Sequence, residues 1–246
     1  MKLHRFYSKF FSENSVSIEL DSLQSNHLIK ALRLNEGGSV EVFNGNGLSA
    51  TFKIKELRRN KAILIIEGKI SEAASKNYKV MSILPVLKKD NLNFMIQKVV
   101  EIGVDKVFFY KPDLIDQSIA KKDIQKIVDK VEDIVVGACK QSGRNFVPKV
   151  EYLGTLYQTL SSDPIKSDSE LIAFDFIGEK KLLITDINSK GNTSIITGPE
   201  SGFSEKEKEL LVSENVSIRR LGSNTLRAET AAVVGLTLAQ NFLGEL

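Results

Sequence analysis

At 246 residues the chain is long enough for one large domain or two smaller ones, each with its own core. Its 42% hydrophobic and 26% charged residues are ordinary for a soluble globular protein; no apolar run nears bilayer length, and the start, Met1-Lys2-Leu3-His4-Arg5-Phe6-Tyr7, lacks a signal peptide's apolar stretch. A net charge of +3 permits nucleic acid without pointing to it; the lone Cys139 cannot close an internal disulfide, which fits a cytoplasmic protein, and two histidines without a Cys/His cluster argue against a metal site.

In chain order, Val16 to Leu20 alternates apolar and polar as a half-buried strand does. Asp21 and Ser22 can cap a helix carrying His27, Ile29, Leu32 and Arg33 before Gly37-Gly38 stops it. Val40 to Phe43, the turn Asn44-Gly45-Asn46-Gly47 and Ala50 to Ile54 make a hairpin signal, and a turn at Arg58 to Lys61 precedes Ala62 to Ile66. Strands at this spacing predict a small β-barrel or sandwich. The small, polar stretch Ser71 to Asn77 reads as a linker.

Beyond it the pattern alternates. Val80 to Leu84 is a buried-type strand, Leu92, Met95, Ile96 and Val99 repeat at helical spacing up to Gly103, and Val104 to Tyr110 is again a strand. Ile124, Ile127, Val128, Val131, Ile134 and Val135 form the stripe of one long helix. Leu171 to Phe174, Ser194 to Ile196 and Val216 to Ile218 supply further strands; Ser204 to Glu207 is a capping box, and Glu229 to Phe242 reads as a buried helix. This alternation predicts an α/β domain with a largely parallel sheet.

Two of these strands end in glycine-marked turns, Gly198-Pro199-Glu200-Ser201-Gly202 and Leu221-Gly222-Ser223-Asn224. Such turns expose backbone N–H and C=O groups, so two close in sequence suggest one pocket walled by both, although either alone is also a common connector. The first is not a phosphate-binding P-loop, because the Gly-Lys-Ser/Thr ending is missing. Arg227 and Glu229 stand at the mouth of the second turn, as a reactive pair or as an ion pair pinning the last helix.

These words, together with His4-Arg5-Phe6, His27 to Arg33, Ile96 to Val104 and Ala138 to Pro148, resemble the RsmE family over nearly the whole chain. Its members are 16S ribosomal RNA uridine-N3 methyltransferases of the SPOUT superfamily. The resemblance implies a PUA-like RNA-binding β-barrel over residues 1–72 and a SPOUT methyltransferase domain with a deep trefoil knot over 73–246. It also implies a cytoplasmic homodimer acting on small-subunit ribosomal RNA, without metal, DNA or membrane.

On the same ground, S-adenosylmethionine is expected among the knot loops, held by Gly198, Pro199, Glu200 and Gly202 on one side and Leu221, Gly222, Ser223 and Leu226 on the other. The loop after Phe174 is expected as a third wall. Methyl transfer to uracil N3 needs alignment, a cation for the developing uracil anion, and a carboxylate or water for the proton. Arg227 and Glu229 are the catalytic candidates. Arg5, Arg33 and Arg144 are candidates for RNA contact, with surface ion pairs as the plainer reading and helix closure a further one for Arg33.

The chain departs from the family pattern at Ser201 (usually Gly), at Asp116-Gln117-Ser118 (commonly Glu-Arg-Ser) and at Lys140 (usually acidic). Ser201 is strained if the position needs a positive φ. A SPOUT enzyme with another RNA target and a non-enzymatic ribosome assembly factor are the alternative readings.

Overall fold

The computed structural model describes residues 3–166, 169–178 and 191–246. They form two compact units, Met1–Ser75 with Cys139–Val147, and Lys76–Ala138 with Pro148–Leu246.

The first unit contains β1 (Arg5–Tyr7), β2 (Ser17–Glu19), α1 (Ser22–Asn26), β3 (Ser39–Phe43), β4 (Leu48–Arg58), β5 (Lys61–Ile66) and β6 (Ser71–Glu72). The strands follow the path β1-β3-β4-β5-β2, with β6 beside β4. β1 runs parallel to β3, and the other pairs are antiparallel. Asn44 makes the β3–β4 hairpin: its Oδ1 accepts the N–H groups of Asn46 (2.8 Å) and Leu48 (3.1 Å), a side chain standing in for a backbone turn. Alternate residues of β4, Ala50, Phe52 and Ile54, join Phe6, Leu28 and Leu64 in one core.

The helix expected to reach Gly37 ends earlier. Asp21 caps α1 as predicted, but a π-helical turn, His27–Ala31, follows, and Arg33 reverses the chain at φ 52°. The Leu34 N–H then bonds back to the Leu28 carbonyl (3.2 Å), which brings Leu34 against the core. Arg33 therefore closes its own helix.

The segment Cys139–Val147 is built into this unit by Arg5. Its Nε donates to Glu41 (3.0 Å), Nη1 donates to the carbonyls of Cys139 (2.9 Å) and Arg144 (3.2 Å), and Nη2 donates to Asn145 Oδ1. The Arg5 guanidinium also lies 4.5 Å from the Phe43 ring centre. Lys140 in the same segment donates to Gln24 Oε1 (3.0 Å) and lies over the Phe6 ring, which gives this departure from the family pattern a packing role. Burial pushes the Cys139 thiol up to about 11, although Arg144 and Arg5 pull the other way.

The second unit contains β7 (Val80–Pro85), α2 (Lys89–Ile102), β8 (Lys106–Lys111), α3 (Gln117–Ala120), α4 (Ile124–Asp129), α5 (Glu132–Ser142), β9 (Lys149–Thr155), α6 (Leu156–Leu160), α7 (Asp163–Lys166), β10 (Ser169–Phe174), β11 (Asn192–Thr197), α8 (Glu205–Ser213), β12 (Ser217–Arg219) and α9 (Ala228–Phe242); α5 runs on into the first unit. Its sheet has the order β12-β10-β11-β7-β8-β9, and every pair is parallel. All six residues of β7 are buried, and all but Ser82 are apolar, as in a strand covered on both faces.

The single long helix expected from Ile124 onward is two. α4 ends at Asp129 with Lys130 as its C-cap, and a tight turn, Val131 N–H to the Val128 carbonyl (2.9 Å), separates it from α5. Ile124, Val128, Val131 and Val135 are all buried across the break, so the stripe survives it and periodicity could not reveal it. The capping box at Ser204 and Glu207 forms as predicted, and the last helix packs against α2, where Gln240 Nε2 donates to the Gly103 carbonyl (2.8 Å).

Candidate active site

Parallel strands that lie side by side deliver their following loops to one edge of the sheet. β12, β10 and β11 are such neighbours, and their loops begin at Arg220, Asp175 and Gly198. All three line one cavity. Phe174 and Phe176 supply apolar surface from the end of β10 and the loop after it, Leu221 and Leu226 from the loop after β12, and Asp175 and Glu200 bring carboxylates. Arg220 ties two walls together: its Nε donates to the Gly222 carbonyl (2.7 Å), and its guanidinium lies 5.1 Å from the Phe176 ring centre. The Asp175 N–H bonds to the Arg219 carbonyl (3.1 Å), holding the third wall in register. The remainder of that loop, residues 179–190, lies outside the described residues.

Of the eight residues expected around the cofactor, Gly198, Pro199, Glu200, Gly202, Leu221, Gly222 and Leu226 line this cavity, and Ser223 does not. The glycines divide by role. Gly202 (φ 75°) and Gly222 (φ 96°) take backbone conformations that strain other residues, and nothing lies within 4 Å of where a Cβ would stand. Both line the cavity and leave open space where a side chain would stand. Gly198 instead makes room for Phe203, whose ring would be 3.3 Å from an added Cβ. The donor set suits an adenosine-bearing ligand: apolar walls for a flat base, exposed backbone for its edge, and carboxylates for hydroxyl or ammonium groups.

A second cleft is lined by Lys88, Asn91, Asp116, Ser201, Arg227 and Glu229, and Glu200 lines both. Arg227 is the N-cap residue of α9, without a side-chain cap bond, and its guanidinium is exposed. Glu229 lies in the first turn of that helix, 7% exposed, and its Oε2 has no hydrogen-bond partner among the described residues. No ion pair between Arg227 and Glu229 occurs among the described residues, so the pinning reading of these two finds no support here. At the far wall Lys88 Nζ meets Asp116 (2.8 Å), and Asn91 Nδ2 donates to Glu200 (3.2 Å). The Lys88 ammonium and the Ser118 donors hold the Asp116 carboxyl down to about 2.

The RNA candidates lie in the first unit. Arg33 is exposed, and Arg144 is half-buried. Arg5 is 6% exposed and already bonded to four partners, so it has no surface to offer a phosphate; its place is structural.

A family model described as an RNA methyltransferase domain matches residues 74–240, and one described as an RNA methyltransferase PUA domain matches 20–67. The Ribosomal RNA small subunit methyltransferase E of Mesomycoplasma hyopneumoniae is 30% identical, over 96% of this chain and 98% of that protein. The chain belongs to the RsmE family of RNA methyltransferases. The Rickettsia conorii protein of the same name is 29% identical, over 96% and 94% of the two chains. A crystal structure of a Neisseria gonorrhoeae Ribosomal RNA small subunit methyltransferase E bound to S-adenosyl methionine superposes with a TM-score of 0.83 at 25% identity, covering 97% of each chain.

Within this RsmE-family fold, the structure settles one departure from the family pattern. Ser201 is not at positive φ; in the first glycine turn that conformation falls on Gly202, so serine is unstrained. Sequence reasoning missed Lys88 and Asn91, which stand about a hundred residues from the loop they face and carry no local signal, and it read Asp116 only as part of a departure from the family pattern. It left Phe174 and Asp175 unassigned, although their place directly after a buried strand was the available clue.

Gly235 of α9 sets the cavity's depth from behind. A Cβ there would stand 2.3 Å from the Phe174 ring and 3.3 Å from Ile195. Gly235→Ala is expected to push Phe174 into the cavity, costing about 1–3 kcal/mol as overpacking does and weakening cofactor binding about tenfold. Thermal unfolding and calorimetric titration with S-adenosylmethionine check both effects.

Proposed function

We propose that this chain transfers the methyl group of S-adenosylmethionine to uridine N3 in 16S ribosomal RNA of the small subunit. The observation that carries the reading is the convergence of three loops from adjacent parallel strands on one cavity, with a second cleft sharing Glu200. The names of the relatives supply the RNA, and the ligand of the Neisseria gonorrhoeae protein supplies the cofactor.

S-adenosylmethionine, when bound, offers a methyl carbon made electrophilic by its sulfonium. Gly198, Pro199, Glu200, Gly202, Leu221, Gly222 and Leu226 bind it, with Ser223 at the outer edge of its loop. Arg227 and Glu229 are the catalytic residues of the neighbouring cleft. Arg227 offers its guanidinium to the uracil oxygen on which negative charge develops. Arg33 and Arg144 serve RNA, while Arg5 organises the unit that presents them.

The finer architecture belongs to the same proposal. Residues 1–72, with Cys139–Val147 built into the same unit, act as a PUA-like RNA-binding β-barrel, and the rest of residues 73–246 as a SPOUT methyltransferase domain whose C-terminal loops form a trefoil knot. The active form is a cytoplasmic homodimer. Family membership supports these assignments. Among the described residues no helix is long and apolar enough to cross a membrane.

Labelled S-adenosylmethionine, unmodified small subunits and nucleoside analysis of the digested RNA test the reaction. N3-methyluridine is the expected product. Another methylated nucleoside would replace the substrate, and no incorporation by folded protein would favour an assembly factor.

A further inference from the structure

Uracil N3 is a poor nucleophile while protonated, because its electrons are shared with two flanking carbonyls. Something must take that proton as the new bond forms. Three carboxylates line the cleft beside Arg227: Asp116, Glu200 and Glu229.

Asp116 is already committed. Its Oδ2 pairs with Lys88 (2.8 Å), and its Oδ1 accepts from both the Ser118 N–H (2.9 Å) and the Ser118 hydroxyl (2.5 Å). Those bonds hold its carboxyl down to about 2, which makes it a weak base. Glu200 is exposed to water, has one oxygen on Asn91 (3.2 Å), and also borders the cofactor cavity. Glu229 differs from both. It is 7% exposed, and Oε2 has no partner among the described residues. A buried carboxylate oxygen without a donor is a costly arrangement that folding alone does not favour. Its rigid place in the first turn of α9, two residues after Arg227, suits a ligand that brings an N–H of its own.

We propose that Glu229 is the proton acceptor of the methyl transfer. The inference rests on the uridine-N3 reading above. The Glu229 carboxylate, turning toward the cleft that the residue lines, accepts the N3 proton, the N–H electron pair remains on nitrogen, and N3 bonds to the methyl carbon. The carbon–sulfur bond breaks with its pair going to sulfur, leaving S-adenosylhomocysteine and a neutral methylated base. Glu229 then returns its proton to water.

The test uses the full chain with unmodified small subunits, with Glu229→Gln, Glu229→Asp and Glu229→Ala. Glu229→Gln is expected to lower the single-turnover rate at least about a hundredfold, the scale of a lost general base. Its affinity for S-adenosylmethionine should stay within about twofold, and its melting temperature should be unchanged, since the oxygen that is replaced makes no hydrogen bond among the described residues. Glu229→Asp should recover part of the rate, and added formate should recover part of it in Glu229→Ala. A structural role predicts the reverse: a lower melting temperature, weaker cofactor binding and no formate effect. That pattern, or a wild-type rate in Glu229→Gln, overturns the assignment while leaving the reaction standing. A wild-type enzyme that forms no N3-methyluridine overturns the reaction and this inference with it.

Discussion

Arg227→Ala is expected to reduce turnover at least a hundredfold to a thousandfold while S-adenosylmethionine binding changes little. The magnitude is that of removing one preorganised donor from a developing negative charge. Arg227 lines the cleft rather than the cofactor cavity, its guanidinium is exposed, and it caps no helix through its side chain. Deleting it therefore removes no side-chain hydrogen bond or ion pair among the described residues, and the melting temperature should hold. Arg227→Lys should recover only part of the rate, because a single ammonium lacks the planar fork. Single-turnover methylation beside calorimetric titration separates the two quantities. A wild-type rate in the alanine variant would remove Arg227 from the mechanism.

Arg5→Ala is expected to be the most destabilising substitution in the first unit, by about 3–5 kcal/mol. It leaves the carbonyls of Cys139 and Arg144 without their donor, the Asn145 amide oxygen without its partner, and Glu41 without its counter-charge. Glu41 is 32% exposed at its side chain and can rehydrate, which favours the lower end of that range. Arg5→Lys should not rescue, since one ammonium cannot reach acceptors served by three nitrogens. Hydrogen exchange is the suitable measurement, because a chain of two units need not unfold in one step. Protection should fall along β1, β3 and residues 139–147, while the cofactor cavity of the second unit keeps its affinity.

The parts of this molecule that were legible in the sequence are those whose cause is local. The two glycine turns could be read because positive φ at Gly202 and Gly222, and the close approach to Phe203 at Gly198, each leave a mark at one position. The capping box at Ser204 and Glu207 is likewise a four-residue event. Illegible features had causes elsewhere in the chain. The break between α4 and α5 keeps the same buried stripe, so nothing in the spacing changes. Asp116 looked like a departure from a family pattern; in the structure it caps α3 and holds Lys88. Arg5 reads as a surface cation because three of its four acceptors lie more than 130 positions away, and two of those are backbone carbonyls, which have no letter in the sequence. The orphaned oxygen of Glu229 depends on what surrounds it in space, which no window of residues reports.

The bonds from Arg5 to Cys139, Arg144 and Asn145 span 134 to 140 positions of sequence. Synthesis proceeds from the N-terminus, so the first unit waits, with Arg5 already made, until Val147 has been added. The 72 residues between Ser75 and Val147 take on the order of ten seconds to translate. Through that interval the nascent sheet carries a guanidinium with Glu41 in place but three of its four acceptors still to come, a state open to chaperones and proteases. A gene fragment ending at the apparent linker would hold the chain in this state permanently, so the N-terminal portion is not a module that can be expressed or grafted by cutting there.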